Sequence, residues 1–168
     1  GALWESVPYA QLRPAFAASA LSHYATFGHS AIYVLKAGHL IHRLGAEAME
    51  PVLFALTRQQ INATREERLP EFRGYAKALT AWDGKGGEPA KASDFIGLSI
   101  DGALKRTLAS SGKPVRELYD ALLGAAAFNL LHFDLAYDTA TANPLADNVS
   151  WLDFTHALTF ANAARHLC

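Results

Sequence analysis

The chain has 168 residues, of which 51% are hydrophobic and 18% are charged, and its formal net charge is −1. This composition predicts a single globular domain over residues 1–168 and excludes a disordered chain. The near-neutral charge, without a basic stripe, predicts no nucleic-acid partner, and no apolar run approaches the roughly 18 residues of a membrane span.

The two ends of the chain bear on its location. The first residues, GALWESVPYAQ, lack the charged and apolar segments of a signal peptide, and the single cysteine is Cys168. One cysteine forms no internal disulfide and builds no cysteine zinc site or iron–sulfur cluster within one chain. We therefore expect a cytoplasmic protein without a membrane partner. Because Gly1 has no Met before it, the sequence is also open to interpretation as a fragment or an excised part of a larger protein.

The first half of the chain predicts helices separated by glycine and proline. Gly28 and Gly45 are expected to mark the ends of the first two, because glycine adopts the backbone conformations found there. Pro51 suits the first turn of the third helix, and Pro70 interrupts the chain before the fourth. The apolar period places these four helices over residues 9–27, 29–44, 46–68 and 70–82.

The second half begins with the clearest loop, DGKGGEPAKAS at residues 83–93. Ser150 is expected to cap the last helix, because its hydroxyl can accept a backbone N–H at 152 or 153. Asp153 lies in that helix's first turn, where a carboxylate favours the helix dipole. Three helices are predicted here, over residues 94–112, 115–140 and 151–168. The whole pattern predicts an all-α fold, a helical bundle or array of about six to seven helices.

Three histidines lie in apolar helical settings and call for an explanation. His29 occurs in FGHSAIYVL, His132 in NLLHFDLAY and His156 in DFTHALTF. Burying a polar ring without a partner costs a few kcal/mol, so each ring needs a hydrogen bond, a ligand or a place in a cleft. These three are the candidate catalytic residues.

Helical spacing supplies further candidates for ligand contact. Asp153 and His156 are separated by three residues and share a face, and Thr159 is the next step along it. Asn129 and His132 have the same spacing in the long helix. We therefore expect Asp153 to orient His156, and Asn129 and Thr159 to contact a ligand.

Histidines from different helices can also hold a metal in a bundle core, as helical di-metal proteins do. The candidate ligands for iron or zinc are His29, His132 and His156, with a carboxylate from Asp134, Asp153 or Glu67. No Glu-x-x-His or His-Glu-x-x-His motif is present. The alternative is that each histidine bonds a neighbouring backbone group or carboxylate and simply packs.

The charged stretch TREERLPEF, residues 64–72, has two interpretations. It is either a solvated helix end with pairs of opposite charge, or Arg65 or Glu66 turns inward to meet a histidine. Arg65 is on this ground a further candidate ligand contact. His23, His39, His42 and His166 are interpreted as helix-end histidines, where a cationic ring suits the dipole.

Two other kinds of site are excluded by their missing context. Ser30 follows His29, but it is not in a Gly-x-Ser-x-Gly elbow and no strand precedes it. DGKGGEP has glycines without the strand–loop–helix context of a phosphate loop. A metal-dependent phosphohydrolase on a helical scaffold is disfavoured because an adjacent His-Asp pair is absent.

Several segments together resemble questin oxidase-like proteins, and also the helical region beside Rieske domains in some bacterial proteins. They are FGHSAIYVLKAGHLI, TREERLPEFRGY, HFDLAYD and WLDFTHALTFANAARH, about a third of the chain. The resemblance implies NADPH-dependent oxidative ring cleavage of the Baeyer–Villiger type, with His29, His132 and His156 as its motif histidines. The chain is much shorter than full-length relatives and lacks the Cys-x-His pattern of a Rieske cluster.

Two functions follow as expectations. The first is a helical domain of an oxidoreductase-type protein, with a histidine-lined pocket for a small aromatic or quinone-like molecule. The second is a non-catalytic accessory or dimerisation module of a larger redox protein, acting as a homodimer or beside a partner redox domain. In the second, exposed aromatic residues would lie at an interface: Trp4, Tyr9 and Trp82.

Overall fold

The computed structural model describes residues 7–23, 26–140, 142 and 150–168. Within these ranges the chain forms seven α-helices, five short 3₁₀ turns and no strand, so the predicted all-α fold is confirmed. No helix in the described ranges has the length and apolar character needed to cross a membrane. The helices are α1 (Tyr9–Leu21), α2 (His29–Leu44), α3 (Met49–Ile61), α4 (Arg73–Thr80), α5 (Ile100–Ala109), α6 (Val115–Leu131) and α7 (Trp151–Leu167).

The chain divides into two compact units. Unit 1 consists of Gly1–Glu66 and Thr159–Cys168, and unit 2 consists of Glu67–Leu158. In unit 1 the first three helices pack on one another, while in unit 2 α4 packs on α5 and α6 packs on the 3₁₀ turn Ala92–Asp94. The single domain over residues 1–168 stays a prediction.

Unit 1 is built around a continuous apolar cluster. Tyr9 belongs to it: its side chain is buried, and its hydroxyl donates a hydrogen bond to the carbonyl of Val34. Burial raises the pKa of Tyr9 to about 12, because the charged phenolate would lose its hydration. The other buried members are Ala20, Ala31, Val34, Leu35, Ala37, Met49, Leu53, Leu56 and Ala163.

Helix α2 begins and ends at glycines, as predicted. Gly28 precedes it at φ +71°, and Gly45 follows it at φ +88°. A Cβ on Gly28 would lie 2.3 Å from Cδ2 of Phe160, so both the backbone angle and the space require glycine there. The entry to α2 is therefore fixed against α7.

Two predicted helices end early because polar side chains bond the last turn. α1 ends at Leu21, where the Ser22 hydroxyl donates to the carbonyl of Ala18. α3 ends at Ile61, where the side-chain amide of Asn62 donates to the carbonyl of Arg58. The predictions of helix to residues 27 and 68 are wrong, since short polar side chains compete for the terminal carbonyls.

The long helix predicted over residues 115–140 is also shorter than expected. α6 ends at Leu131, with His132 at its C-cap, and Leu135–Thr139 forms a separate 3₁₀ turn. The Asp134 carboxylate accepts a hydrogen bond from the backbone N–H of Ala136 and starts that turn. The apolar periodicity of the sequence continues past the end of α6, although the Asp134 side chain caps a new turn there.

In unit 2, Arg106 joins several polar groups around a small core. Its guanidinium donates to the carbonyl of Pro89 and, at 2.8 Å each, to the Ser110 hydroxyl and the Asp94 carboxylate. It also lies 5.9 Å above the ring of Phe95. The apolar cluster beneath consists of Phe95, Leu118, Ala121 and Ala125.

The loop at residues 83–93 is tied down by its backbone. Gly86 donates its N–H to the Ser111 hydroxyl and accepts from the N–H of Gly112, while Glu88 donates to the carbonyl of Ala109. A Cβ on Gly86 would lie 2.2 Å from the carbonyl oxygen of Leu108. The predicted loop is therefore confirmed, and its glycines permit close packing on the end of α5. That helix begins at Ile100, so the predicted start at residue 94 is wrong.

The cap predicted for the last helix is present. The Ser150 hydroxyl accepts from the N–H of Leu152 at 3.2 Å, and the Asp153 carboxylate accepts from the N–H of Ser150 at 2.8 Å. This reciprocal pair is a capping box with aspartate in place of glutamate. It explains both polar residues by local helix chemistry.

Candidate functional site

His132 is exposed and is used locally. Its Nδ1 donates to the carbonyl of Phe128 at 2.9 Å, and the two rings stack with centroids 3.8 Å apart. Because a carbonyl only accepts, Nδ1 carries the proton and Nε2 accepts in the neutral ring. This arrangement matches the alternative in which the histidine bonds its own backbone and packs.

His156 has a similar local bond. Its Nδ1 donates to the carbonyl of Leu152 at 2.6 Å, one turn earlier in α7. Asp153, expected to orient this ring, instead bonds the backbone N–H of Ser150. The Asp153 carboxylate therefore already accepts a hydrogen bond in the helix cap. Its role in orienting His156 stays a prediction.

His29 lies in unit 1, at the first residue of α2. Its ring is parallel to that of Tyr33 at a centroid distance of 5.4 Å, and tilted against Phe27 at 6.0 Å. His29 therefore belongs to a short aromatic row along the start of α2.

The residues expected to contact a ligand lie in two different surroundings. Asn129 and Thr159 lie on exposed helix surface, whereas Arg65 lines a cleft of unit 1. None of the sequence-predicted residues other than Arg65 lines either cleft of unit 1 described below. Their functional roles stay predictions.

No metal ligand set is formed by the part of the chain that the structure describes. Within it, no group of three or more His, Cys, Asp or Glu side chains is placed to hold a metal ion. The side chain of Glu67, one of the candidate carboxylates, lies outside the described residues. The metal site at His29, His132 and His156 stays a prediction.

The first cleft of unit 1, here called the α2–α3 groove, is apolar. It has a volume of about 280 Å³. The ring of Tyr33, which stacks on His29, forms part of the groove wall. The aromatic row at the start of α2 therefore extends to the groove. It is lined by Tyr33, Lys36, Ala37, Leu40, Val52, Ala55, Leu56 and Gln59.

Gln59 contributes a side-chain amide to the lining of this groove. Its Nε2 donates to the buried Ser30 hydroxyl at 3.0 Å, and its Oε1 is buried and has no hydrogen-bond partner among the described residues. A buried acceptor without a partner costs about 1–3 kcal/mol. This oxygen has almost no exposed surface, so a donor in the groove reaches it only if the Gln59 side chain shifts, and sequence spacing gave no sign of Gln59.

The second cleft, here called the α1–α3 cleft, has a volume of about 510 Å³. His23 is part of its wall, and the ring's Nδ1 contacts the carbonyl of Thr64 at 3.1 Å and the Glu66 carboxylate at 3.3 Å. Glu66 is only 5% exposed. The hypothesis that Glu66 turns inward to meet a histidine is confirmed, and the partner is His23, for which the sequence predicts only a helix-end position.

The three aromatic residues expected at an interface differ in their surroundings. Trp82 is exposed, as expected. Tyr9 is only 9% exposed and packs on Gly38, so the expectation that it is exposed is wrong. Trp4 lies outside the described residues.

Comparisons of the chain with protein-family models, with curated proteins and with solved structures found no match. The resemblance to questin oxidase-like proteins therefore stays a prediction.

Proposed function

We propose that the chain is a helical domain of an oxidoreductase-type protein that binds a small aromatic or quinone-like molecule in the α2–α3 groove. The observation that carries this proposal is Oε1 of Gln59, which is buried without a partner among the described residues, on the wall of a groove lined mainly by apolar side chains. Ligand sites are commonly apolar concavities with a small number of placed polar groups.

The size and lining of the groove favour a small, flat ligand. Its volume is slightly below the roughly 300 Å³ at the lower end of ligand pockets, which suits one or two fused rings. Tyr33 offers a ring face or edge to an aromatic ligand, and the exposed Lys36 adds a cation at the rim. A phenolic hydroxyl could donate to Oε1 of Gln59.

The cofactor expectations gain no support from these residues. The described chain contains no strand, whereas a Rossmann-type dinucleotide site requires a strand–turn–helix unit. NADPH therefore stays an expectation from the resemblance. The groove's own residues bind and orient the ring system, and the oxidising chemistry would come from a cofactor or a partner redox domain.

Filling the groove tests the proposal. Ala55→Trp places an indole on the groove wall, and Arg58→Trp places one on the same helix away from the groove-lining residues. We expect naphthol and naphthoquinone to bind the unmodified chain and Arg58→Trp, measured by calorimetry and NMR shifts. Binding should be lost in Ala55→Trp. Equal binding in both variants, or no binding to the unmodified chain, would refute the proposal.

The polar contact and the predicted histidines can be tested with the same ligands. Gln59→Met removes the acceptor and should weaken naphthol about tenfold, the loss of one good hydrogen bond. Since His132 and His156 do not line the groove, changing either one to Ala should leave binding unchanged. A loss in those variants would instead restore them as site residues.

One observation favours the alternative, a helical accessory or dimerisation module. Tyr33, Leu40 and Leu44 form an exposed apolar stripe along α2, with 43%, 48% and 66% of each residue exposed. Such spacing is typical of a helix that docks on a partner. A monomer at all concentrations in light scattering would count against a homodimer, and a dimer broken by Leu40→Glu would support it.

A further inference from the structure

The tautomer of His23 is determined by its two partners. A backbone carbonyl and an ionised carboxylate both only accept, and both contact Nδ1. Nδ1 therefore carries the proton, and Nε2 of the neutral ring has a lone pair. The ring is part of the wall of the α1–α3 cleft, so a ligand bound there lies beside the imidazole.

Glu66 supplies the charge behind the ring. Its side chain is almost fully buried, and a buried carboxylate requires a compensating partner. If Nε2 takes a proton, the resulting imidazolium lies 3.3 Å from this carboxylate. The same arrangement orients and stabilises the histidine of acid–base catalytic triads.

The rest of the cleft suits a small molecule with a weakly acidic hydroxyl. Its volume of about 510 Å³ lies within the range of ligand pockets. Phe16 and Ile61 provide apolar walls, while Ser19 and Thr57 provide hydroxyls. Arg65 adds a cation that can attract the oxyanion left after proton transfer.

We infer that the α1–α3 cleft is a second binding site, in which His23 accepts the proton of a ligand hydroxyl and Glu66 is its positioning residue. The O–H bond of the ligand breaks and an N–H bond forms at Nε2. The products are an oxyanion beside Arg65 and an imidazolium beside Glu66. This site is separate from the α2–α3 groove and does not depend on the function proposed for it.

The coloured phenol para-nitrophenol gives a direct test, because its phenolate absorbs at longer wavelength than the phenol. In a buffer where the free compound is mostly protonated, the intact chain should produce the phenolate band on binding. His23→Gln should abolish the band, whereas His39→Gln, a change at an exposed histidine, should retain it. The band should also persist in Ala55→Trp, which blocks only the groove.

Glu66→Gln separates positioning from folding. The variant keeps an acceptor for Nδ1 but removes the charge, so the bound phenolate-to-phenol ratio should fall about tenfold, a typical effect of one nearby opposite charge. Circular dichroism melting checks that the variants fold. Imidazole nitrogen NMR of the unmodified chain needs no variant and should show His23 protonated at Nδ1 only.

Several results would overturn the inference. Protonation of His23 at Nε2 alone contradicts the tautomer, and binding without the phenolate band contradicts proton transfer. A band that survives in His23→Gln, or that disappears equally in His39→Gln, assigns the chemistry elsewhere. An unchanged band in folded Glu66→Gln removes the positioning role.

Discussion

Unit 1 and unit 2 hold their helices together in different ways. Among the described residues, unit 1 has a cluster of ten buried apolar residues, and Oε1 of Gln59 is buried there without a hydrogen-bond partner. Unit 2 has a cluster of four, and hydrogen bonds around Arg106 and Gly86 support it. The larger apolar core of unit 1 therefore depends less on polar side chains for support than the small core of unit 2 does.

The largest expected effect comes from the two cores themselves. Leu53 of unit 1 and Leu118 of unit 2 are 4% and 5% exposed, so their replacement by Ala is a matched pair. Leu53→Ala should cost about 4 kcal/mol and Leu118→Ala about 3 kcal/mol, because the alanine-rich surroundings of Leu118 can collapse more easily. Urea unfolding measures both, and the reverse order would contradict the comparison.

The next effect tests how tightly unit 1 fixes the start of α2. Gly28→Ala adds a left-handed strain of about 1 kcal/mol and an overpacking cost of about 2 kcal/mol against Phe160. Gly84→Ala in unit 2 has a similar φ, +69°, and no atom of the described part of the chain lies within 4 Å of the added Cβ. It should therefore cost about 1 kcal/mol. Equal losses of stability in the two variants, measured by thermal unfolding, would show that the Phe160 side chain moves to make room for the added Cβ.

The polar support of unit 2 should be weaker than a core leucine but measurable. Arg106→Met keeps a long, flexible apolar side chain but removes the cation above Phe95 and the hydrogen bonds to Pro89, Asp94 and Ser110. We expect a loss of about 2 kcal/mol in urea unfolding. Arg116→Met, which breaks only an exposed pair, should cost less than about 0.5 kcal/mol. Similar losses of stability in Arg106→Met and Arg116→Met would contradict the larger contribution expected of Arg106.

The stabilisation that comes from the contact between Arg106 and Asp94 depends on pH. Hydrogen bonds from the Arg106 side chain and the Lys91 backbone lower the pKa of Asp94. Its stabilising contribution is present above the unfolded value of about 3.9 and is lost as the pH falls through the lower folded pKa. Arg106→Met should therefore show a smaller loss of stability on acidification than the unmodified chain. Identical acid profiles would refute this linkage.

The smallest effect concerns the cap of α7. Ser150→Ala should cost about 1 kcal/mol, because the N–H of Leu152 loses its acceptor. Ser150→Asp, which retains an acceptor at the cap, should restore most of the loss. Thermal unfolding of the two variants provides the measurement, and an unchanged midpoint in Ser150→Ala would show that the cap is dispensable.

Local signals predicted much of the fold. Gly28 and Gly45 marked both ends of α2, and Ser150 marked the start of α7, because each acts on backbone groups within a few residues. The end of α6 was missed because the apolar period continues past Leu131, and Asp134 starts a new turn with one side-chain bond. Periodicity identifies a helix more securely than its end.

The candidate site was harder to predict because it depends on distant pairs. His23 and Glu66 are separated by 43 positions, so their contact requires the packing of the helices between them. Gln59 is similar, since its importance depends on Ser30 and on an unpartnered oxygen. His132 and His156 stood out in the sequence because of apolar neighbours, yet their Nδ1 bonds are local.

The glycine-rich loop at residues 83–93 has a consequence for dividing or labelling the chain. Its composition resembles a linker that tolerates insertions and protease cleavage. However, the N–H groups of Gly86 and Glu88 are bonded, and Gly86 has no room for a side chain. Slow amide exchange and resistance to nicking are therefore expected there, and an inserted tag would displace the end of α5.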